Sequence, residues 1–376
     1  MRKKFLLALI FLLLSSNFAQ AVFDPTTVAN NRFGIHVLFP DELEQAAKLV
    51  NSGSGEWGYV TIPIRSDDKN LEKWQAFLDR AQELKVIPIL RLTTYPDGPV
   101  WTKPTVYDPL DWANFLESLD WPIQNRYVIV YNEPNHSQEW GGDVNPEEYT
   151  QQLVWTVTEL KKRSDDFYVL PAGLDASVPS SATSLDEYAY LNRMYNFDRN
   201  VFNVIDGWNS HSYPNPNFSA SPDNKAKNGI TSFAWETNYI KNNFGREFKN
   251  IFITETGWNA DVLPKWLIAD NFTKAFSEVW NKETIVAVTP FLFSAQAGDF
   301  TKFSWTDANF VPNDVYRKVS SLAKSKGAPQ QKSTQLAQAG KLDVEQPSNW
   351  SAQKTGYWQQ TTRSMVKTFI NFLINE

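Results

Sequence analysis

Eight short runs of β-branched and aromatic residues, each followed by a helical pattern, constrain this chain more than any other feature. The runs cover residues 33–38, 58–64, 86–92, 127–131, 167–172, 204–210, 251–254 and 285–293. Most are continuously apolar, as strands covered on both faces of a parallel sheet are. The segments between them carry helix starts. Asn70 precedes Leu71, Trp74, Leu78 and Ala81 at helical spacing, and Asp108-Pro109-Leu110-Asp111 supplies a cap, an N1 proline and an acid in the first turn. Asn145-Pro146-Glu147-Glu148 reads as a capping box, and a last helix is expected over residues 314–326. Eight alternating βα units predict an α/β fold of the closed (β/α)₈ TIM-barrel kind. The first run is not followed by a glycine-rich phosphate loop, which counts against a dinucleotide fold.

The ends of the chain read differently. Residues 1–21 combine Arg2, Lys3 and Lys4, an apolar run from Phe5 to Leu14, and Ala19 and Ala21 around Gln20, the pattern of a signal peptide cut after Ala21. The apolar run is too short to span a bilayer, so the expectation is export to a periplasmic or extracellular location without stable membrane insertion. The body of the barrel is expected over residues 22–327. Residues 328–376 begin as a Gln, Ser, Ala and Lys-rich linker and end in a segment, 361–374, expected to pack on the barrel.

Charge narrows the partners. The net charge is −6, and removing the three basic residues of the leader makes it −9, which repels phosphate backbones and argues against nucleic acid. The chain has no cysteine, which removes thiol chemistry and thiolate metal sites. Only three histidines, His36, His136 and His211, are present, with no His-x-His pair on the first run, so a zinc hydrolase is not expected. No motif requires a cofactor. The oligomeric state is not legible.

In a (β/α)₈ barrel the working groups sit at the C-terminal ends of strands. Glu133 ends the fourth run and Glu255 the seventh. A barrel brings those two ends to one rim, and two facing carboxylates suit glycosidic bond cleavage: one gives a proton to the leaving oxygen, the other attacks the anomeric carbon. Asn132-Glu133-Pro134, Thr254-Glu255, and His211-Ser212-Tyr213 after the sixth run resemble the signature of glycoside hydrolase clan A, which includes cellulases, β-mannanases and β-xylosidases.

That resemblance implies a retaining glycoside hydrolase acting on a β-linked saccharide. Glu133 would be the acid/base and Glu255 the nucleophile, with Asn132 on the sugar 2-hydroxyl. Tyr213 would donate to Glu255, and His211 would lie near both acids. His36, at the end of the first run, is a candidate substrate contact. The chain departs from the clan pattern at Thr61, where an arginine reaching the nucleophile is common, leaving Arg65 or Arg91 as substitutes. The usual strand-eight tryptophan is also missing, with Phe293 or Trp305 as stand-ins. Trp101, Trp140 and Trp258 follow strands three, four and seven and are candidate stacking platforms for sugar rings. A carbohydrate-binding protein without turnover and a transglycosylase are the alternatives.

Overall fold

A computed structural model of the chain describes residues 22–332. The expected leader and most of the expected tail therefore lie outside the described residues. Eight strands that run parallel where they pair are β1 (Gly34–His36), β2 (Gly58–Arg65), β3 (Val86–Thr93), β4 (Arg126–Val130), β5 (Phe167–Pro171), β6 (Trp208–His211), β7 (Ile251–Glu255) and β8 (Ile285–Val288). The helices between and after them are α1 (Leu43–Val50), α2 (Leu71–Glu83), α3 (Asp108–Glu117), α4 (Pro146–Arg163), α5 (Glu187–Phe197), α6 (Ser232–Phe244), α7 (Lys265–Lys274) and α8 (Asp314–Ser320). A two-residue ribbon, Pro96–Asp97 with Val100–Trp101, decorates the loop after β3.

The strands form one sheet in the order β1-β2-β3-β4-β5 and another in the order β8-β7-β6. Single parallel bridges connect the two at both edges, Phe33 with Val288 and Asp175 with His211. Gly34 makes the first junction possible. A Cβ there would sit 2.5 Å from Thr289 Cγ2 and 2.9 Å from two backbone oxygens.

Strand alternation sorts the core into two layers. One set of strand residues, including Ile35, Val60, Ile62, Leu90, Val128, Val169 and Ile253, packs with helix residues such as Leu78, Leu116, Leu153 and Ile268. The other set, Tyr59, Ile87, Ile89, Tyr127, Ile129, Tyr168, Leu170, Phe252 and Val286, forms a separate cluster on the inner face. Above those apolar residues lies a hydroxyl and amide belt. Thr61 and Thr289 share a hydrogen bond of 2.8 Å, Thr289 donates to the Thr254 carbonyl (2.9 Å), Thr254 donates to Asn209 Oδ1 (2.5 Å), and Asn209 donates to the Pro171 carbonyl (3.1 Å). Buried hydroxyls are thus satisfied across β2, β8, β7, β6 and β5 in turn. Thr61 belongs to this belt, which explains why the position holds a small hydroxyl residue.

Two of the three expected helix caps form, while α3 starts at Asp108 itself with Tyr107 at the cap position and no side-chain cap bond. Asn70 accepts from the Lys73 amide (2.9 Å) and Asn145 from the Glu148 amide (3.1 Å). The reciprocal half of the box at Asn145 is redirected: Glu148 accepts instead from Lys103 and from Trp140 Nε1. Several expected boundaries shift. β4 stops before Tyr131, whose φ of 69° breaks the strand. The expected run 204–210 splits, with a helical turn at Val201–Val204 and the strand starting at Trp208. β8 ends at Val288, because the chain beyond pairs with β1 only through His36, which donates to the Pro290 carbonyl and accepts from the Phe293 amide. α8 ends at Ser320, six residues short of expectation. Residues 328–330 run along the strand N-terminal side: the Ala328 amide donates to Ala29 and the Gln124 amide to Gln330. Among the described residues no helix is long and apolar enough to cross a membrane.

Candidate active site

The charged groups of the inner face collect at the C-terminal ends of the strands. His36 comes from β1, Arg91 from β3, His211 from β6 and Glu255 from β7. Glu133 arrives by a kink: Tyr131 and Glu133 both have positive φ, 69° and 28°, and the chain leaving β4 turns toward His211. Such a conformation in a non-glycine residue costs on the order of 1–3 kcal/mol and must be held by its surroundings. Here the Glu133 amide donates to the Gly173 carbonyl (3.2 Å), and the Glu133 carbonyl accepts from the His136 amide (2.9 Å).

Glu255 is 7% exposed and ringed by partners. Arg91 Nη1 donates to its Oε1, the Tyr213 hydroxyl donates to its Oε2 at 3.0 Å, and His36 Nε2 and His211 Nδ1 each lie 3.8 Å from one of its oxygens. Burial pushes this carboxyl upward, but the positive charge of His211 and Arg91 together outweighs it and brings it down to about 2. Glu255 is therefore ionised across the ordinary pH range. His36, wholly buried and facing Arg91, is driven down to about 3, so its imidazole is neutral.

His211 joins the two acids. Its Nδ1 lies 2.7 Å from Glu133 Oε1. Burial alone would lower its proton affinity, yet Glu255 and Glu133 raise it overall. The ring occupies space that only glycine leaves: a Cβ on Gly173 would fall 2.1 Å from His211 Cδ2. One carboxylate oxygen of Glu133, one of Glu255 and a His211 nitrogen all lie within 4.8 Å of one another. That set is compact enough to enclose a cation, but Arg91 already occupies Glu255, and a divalent ion there would meet the guanidinium charge.

Most of the residues expected at the site are brought together: Glu133, Glu255, Asn132, His211, Tyr213, His36 and Arg91. The arginine that reaches Glu255 is Arg91 of β3, while Arg65 pairs with Asp67 near the surface. Arg91 Nη1 also donates to Asn132 Oδ1 at 2.8 Å. The tryptophan expectations are corrected. Trp258 is 1% exposed, donates to the Ala220 carbonyl and packs edge-on against Phe272, so it has no face for a sugar. Trp305 is 2% exposed on the other side of Phe272, Trp140 is enclosed between Tyr131 and Tyr149, and Phe293 is fully buried. Trp101 keeps partial exposure on the ribbon after β3.

Three further residues had no sequence signal. Glu139 sits on the turn Ser137–Glu139 after β4, where the charges of Glu133, Arg91 and His136 act on it. His136 Nε2 pairs with Asp175 Oδ2 at 3.1 Å, Asp175 lying in the loop after β5. Their nearness arises from turns, which carry no periodic pattern.

No family model and no curated protein matches the chain. Solved structures do. A family 39 glycoside hydrolase from the gut symbiont Bacteroides cellulosilyticus WH2 superposes with a TM-score of 0.57 at 16% identity, covering 80% of this chain. This chain spans 64% of that enzyme. A GH5_18 protein from Streptomyces cattleya, in complex with GlcNAc, gives 0.54 at 16% identity over 78% of this chain and 79% of its own. A GH128 endo-beta-1,3-glucanase from Pseudomonas viridiflava gives 0.51 at 13% identity over 78% of this chain and 98% of its own. The chain thus has the fold of these clan A glycoside hydrolases.

Proposed function

We propose that the two sheets are arcs of one closed (β/α)₈ barrel spanning residues 22–327, and that the protein is a retaining glycoside hydrolase acting on a β-linked saccharide. The observation that carries this reading is the approach of the two acids, whose nearest oxygens lie within 4.8 Å. Retaining enzymes hold their carboxyl groups about 5–5.5 Å apart, while inverting ones leave about 6.5–9.5 Å for a water.

In this mechanism the ionised Glu255 attacks the anomeric carbon. The bond to the leaving oxygen breaks as Glu133 gives that oxygen its proton, leaving a glycosyl ester on Glu255 and a carboxylate on Glu133. Glu133 then takes a proton from water, the hydroxyl oxygen attacks the anomeric carbon, and Glu255 departs, so two inversions give net retention. Arg91 and the Tyr213 hydroxyl keep Glu255 ionised and fix its oxygens, and His211 aligns Glu133.

The fold shared with an endo-beta-1,3-glucanase supports a β-linked substrate. Export after removal of residues 1–21 belongs to the same reading, since β-glycans lie outside the cell. The test is proton NMR of the first sugar released from an aryl β-glycoside: the β anomer should appear before mutarotation. Release of the α anomer would exclude double displacement, binding without release would favour a lectin-like protein, and a product lengthened by added sugar would mark transglycosylation.

A further inference from the structure

We propose that Glu236 of α6 is a positioning residue: from outside the strand wall it fixes the seat of β6, and with it the placement of His211 and Tyr213, the side chains that hold Glu133 and Glu255. The role rests on the glycosidase reading, in which those two acids do the chemistry.

Side chains along an extended strand alternate between faces, and β6 with the two residues after it divides in this way. Asn209, His211 and Tyr213 turn inward. Asn209 joins the belt through Thr254 and the Pro171 carbonyl, His211 Nδ1 lies 2.7 Å from Glu133 Oε1, and the Tyr213 hydroxyl donates to Glu255 Oε2 at 3.0 Å. Trp208, Ser210 and Ser212 turn outward, toward α6. Trp208 Nε1 donates to Glu236 Oε2 at 2.7 Å, and the Ser210 hydroxyl donates to Glu236 Oε1 at 2.8 Å. The contacts continue from Ser210 to Ser212 (2.8 Å) and from Ser212 to Ser232 at the start of α6 (2.9 Å). His211 thus has an anchored neighbour on each side.

The backbone ladder alone holds β6 loosely at this point. Toward β5 there is a single bridge, between Asp175 and His211, and β5 and β6 belong to separate sheets. Toward β7 the register shifts between Ser210 and His211, so that His211 pairs with Glu255 rather than Thr254. The pairing is therefore interrupted at the very residue that joins the two acids.

A carboxylate is a costly way to fill this wall. Glu236 is 1% exposed, in a layer that also holds Phe233 and Ile240. An apolar side chain of similar size would occupy the place without desolvating a charge. What the carboxylate adds is direction. Its two oxygens grip donors two residues apart on the strand, and a slip of one residue would turn both donors to the other face.

Charge is the competing explanation. Burial pushes the Glu236 carboxyl up, while its hydrogen bonds and the charge of His211 oppose that rise. Glu236→Gln separates the two, because it removes the charge and keeps the grip: the amide oxygen accepts from Trp208, and the NH₂ group donates to Ser210 Oγ, whose own proton turns to Ser212. Glu236→Ala removes both.

The test uses the full chain labelled with ¹⁵N at its three histidines. The His211 ring resonance, assigned by its loss in His211→Asn, should move in Glu236→Ala and return to its wild-type position in Glu236→Gln. On an aryl β-glycoside, Glu236→Ala should lower kcat by roughly 10²-fold with little change in KM, the effect of displacing a working group by about 1 Å. Glu236→Gln should stay within about threefold of the wild type. An unmoved His211 resonance in Glu236→Ala would overturn the proposal, as would a loss carried by KM alone. Equal effects of the two substitutions would overturn it too, since charge would then be the cause. Where Glu236→Ala does not fold, Ser210→Ala decides: it should move the His211 resonance and lower kcat by roughly tenfold, and an unmoved resonance would overturn the proposal.

Only the kinetic arm needs turnover. Absence of turnover in the wild type would defeat the glycosidase reading, and the His211 resonance would then decide whether Glu236 seats β6.

Discussion

The two glutamates sit in opposite kinds of surroundings. Glu255 is almost wholly buried, on a strand, with Arg91 and Tyr213 on its oxygens and two imidazoles at 3.8 Å. Glu133 lies off the end of its strand at a φ of 28°, its side chain is 20% exposed, and the partner it meets is His211. A nucleophile has to keep a negative charge in a place that disfavours charge, which demands compensating cations. An acid/base group has to pass a proton to a leaving oxygen and take one from water, which demands access. In the proposed mechanism the same end of the fold serves both needs, by placing one acid inside the strand register and the other beyond it.

The largest effect separates the pair. Glu255→Gln should lower kcat on every aryl glycoside by about 10⁴-fold or more, since no covalent intermediate forms. Glu133→Gln should lower kcat/KM comparably with poor leaving groups and far less with nitrophenolates that depart without a proton, while kcat stays low with both because the same group activates the water of the second step. A steady-state comparison across leaving groups reads the difference, and equal sensitivity in both variants would erase the distinction.

Arg91→Met comes next. It strips Glu255 of the guanidinium and leaves an uncompensated buried charge, so kcat/KM should fall by about 10²-fold and the acid limb should move upward from its low position near 2. The same change should also loosen Asn132, because one nitrogen serves both. Tyr213→Phe removes a single hydrogen bond to a carboxylate and should cost about tenfold in kcat/KM, read from the same assay.

The smallest effect is on stability. Glu255 is brought down to about 2, so its contribution is complete above its unfolded value and lost only as pH falls toward 2. The other half behaves in the reverse sense. Glu139 at about 7 and His136 at about 9, the latter held up by Asp175 and Glu133 against burial, stabilise the fold at low pH and lose that contribution as pH rises through those values. Calorimetry should therefore find the highest Tm near pH 5 and a decline of roughly 5 °C by pH 9. A Tm that rises over that interval would contradict the assignment of these two groups.

What could be read from sequence divides along the same physical line. Glu133, Glu255, Asn132, His211, Tyr213 and Arg91 stand at or just past strand ends, and strand periodicity is a local property that the chain displays openly. The eight βα units were legible for the same reason. Which way a large ring turns is not local: Trp258 and Trp305 follow strands at the right end, yet both close on Phe272 inside the wall. Tyr131 has strand composition, and only the geometry of the turn beyond it imposes a φ of 69°. Glu139 lies six positions after Glu133 in a turn, and the charges of Glu133 and Arg91 act on it only once the chain is folded.

The central claim is that Glu255 attacks and Glu133 moves protons, and azide rescue tests it most directly. With an activated β-glycoside, Glu255→Gly plus azide should yield the α-glycosyl azide, because azide fills the space of the missing nucleophile and inverts the centre once. Glu133→Ala plus azide should yield the β-glycosyl azide, formed by attack on the ester at Glu255. The same anomer from both variants, or no azide product from either, would contradict the account.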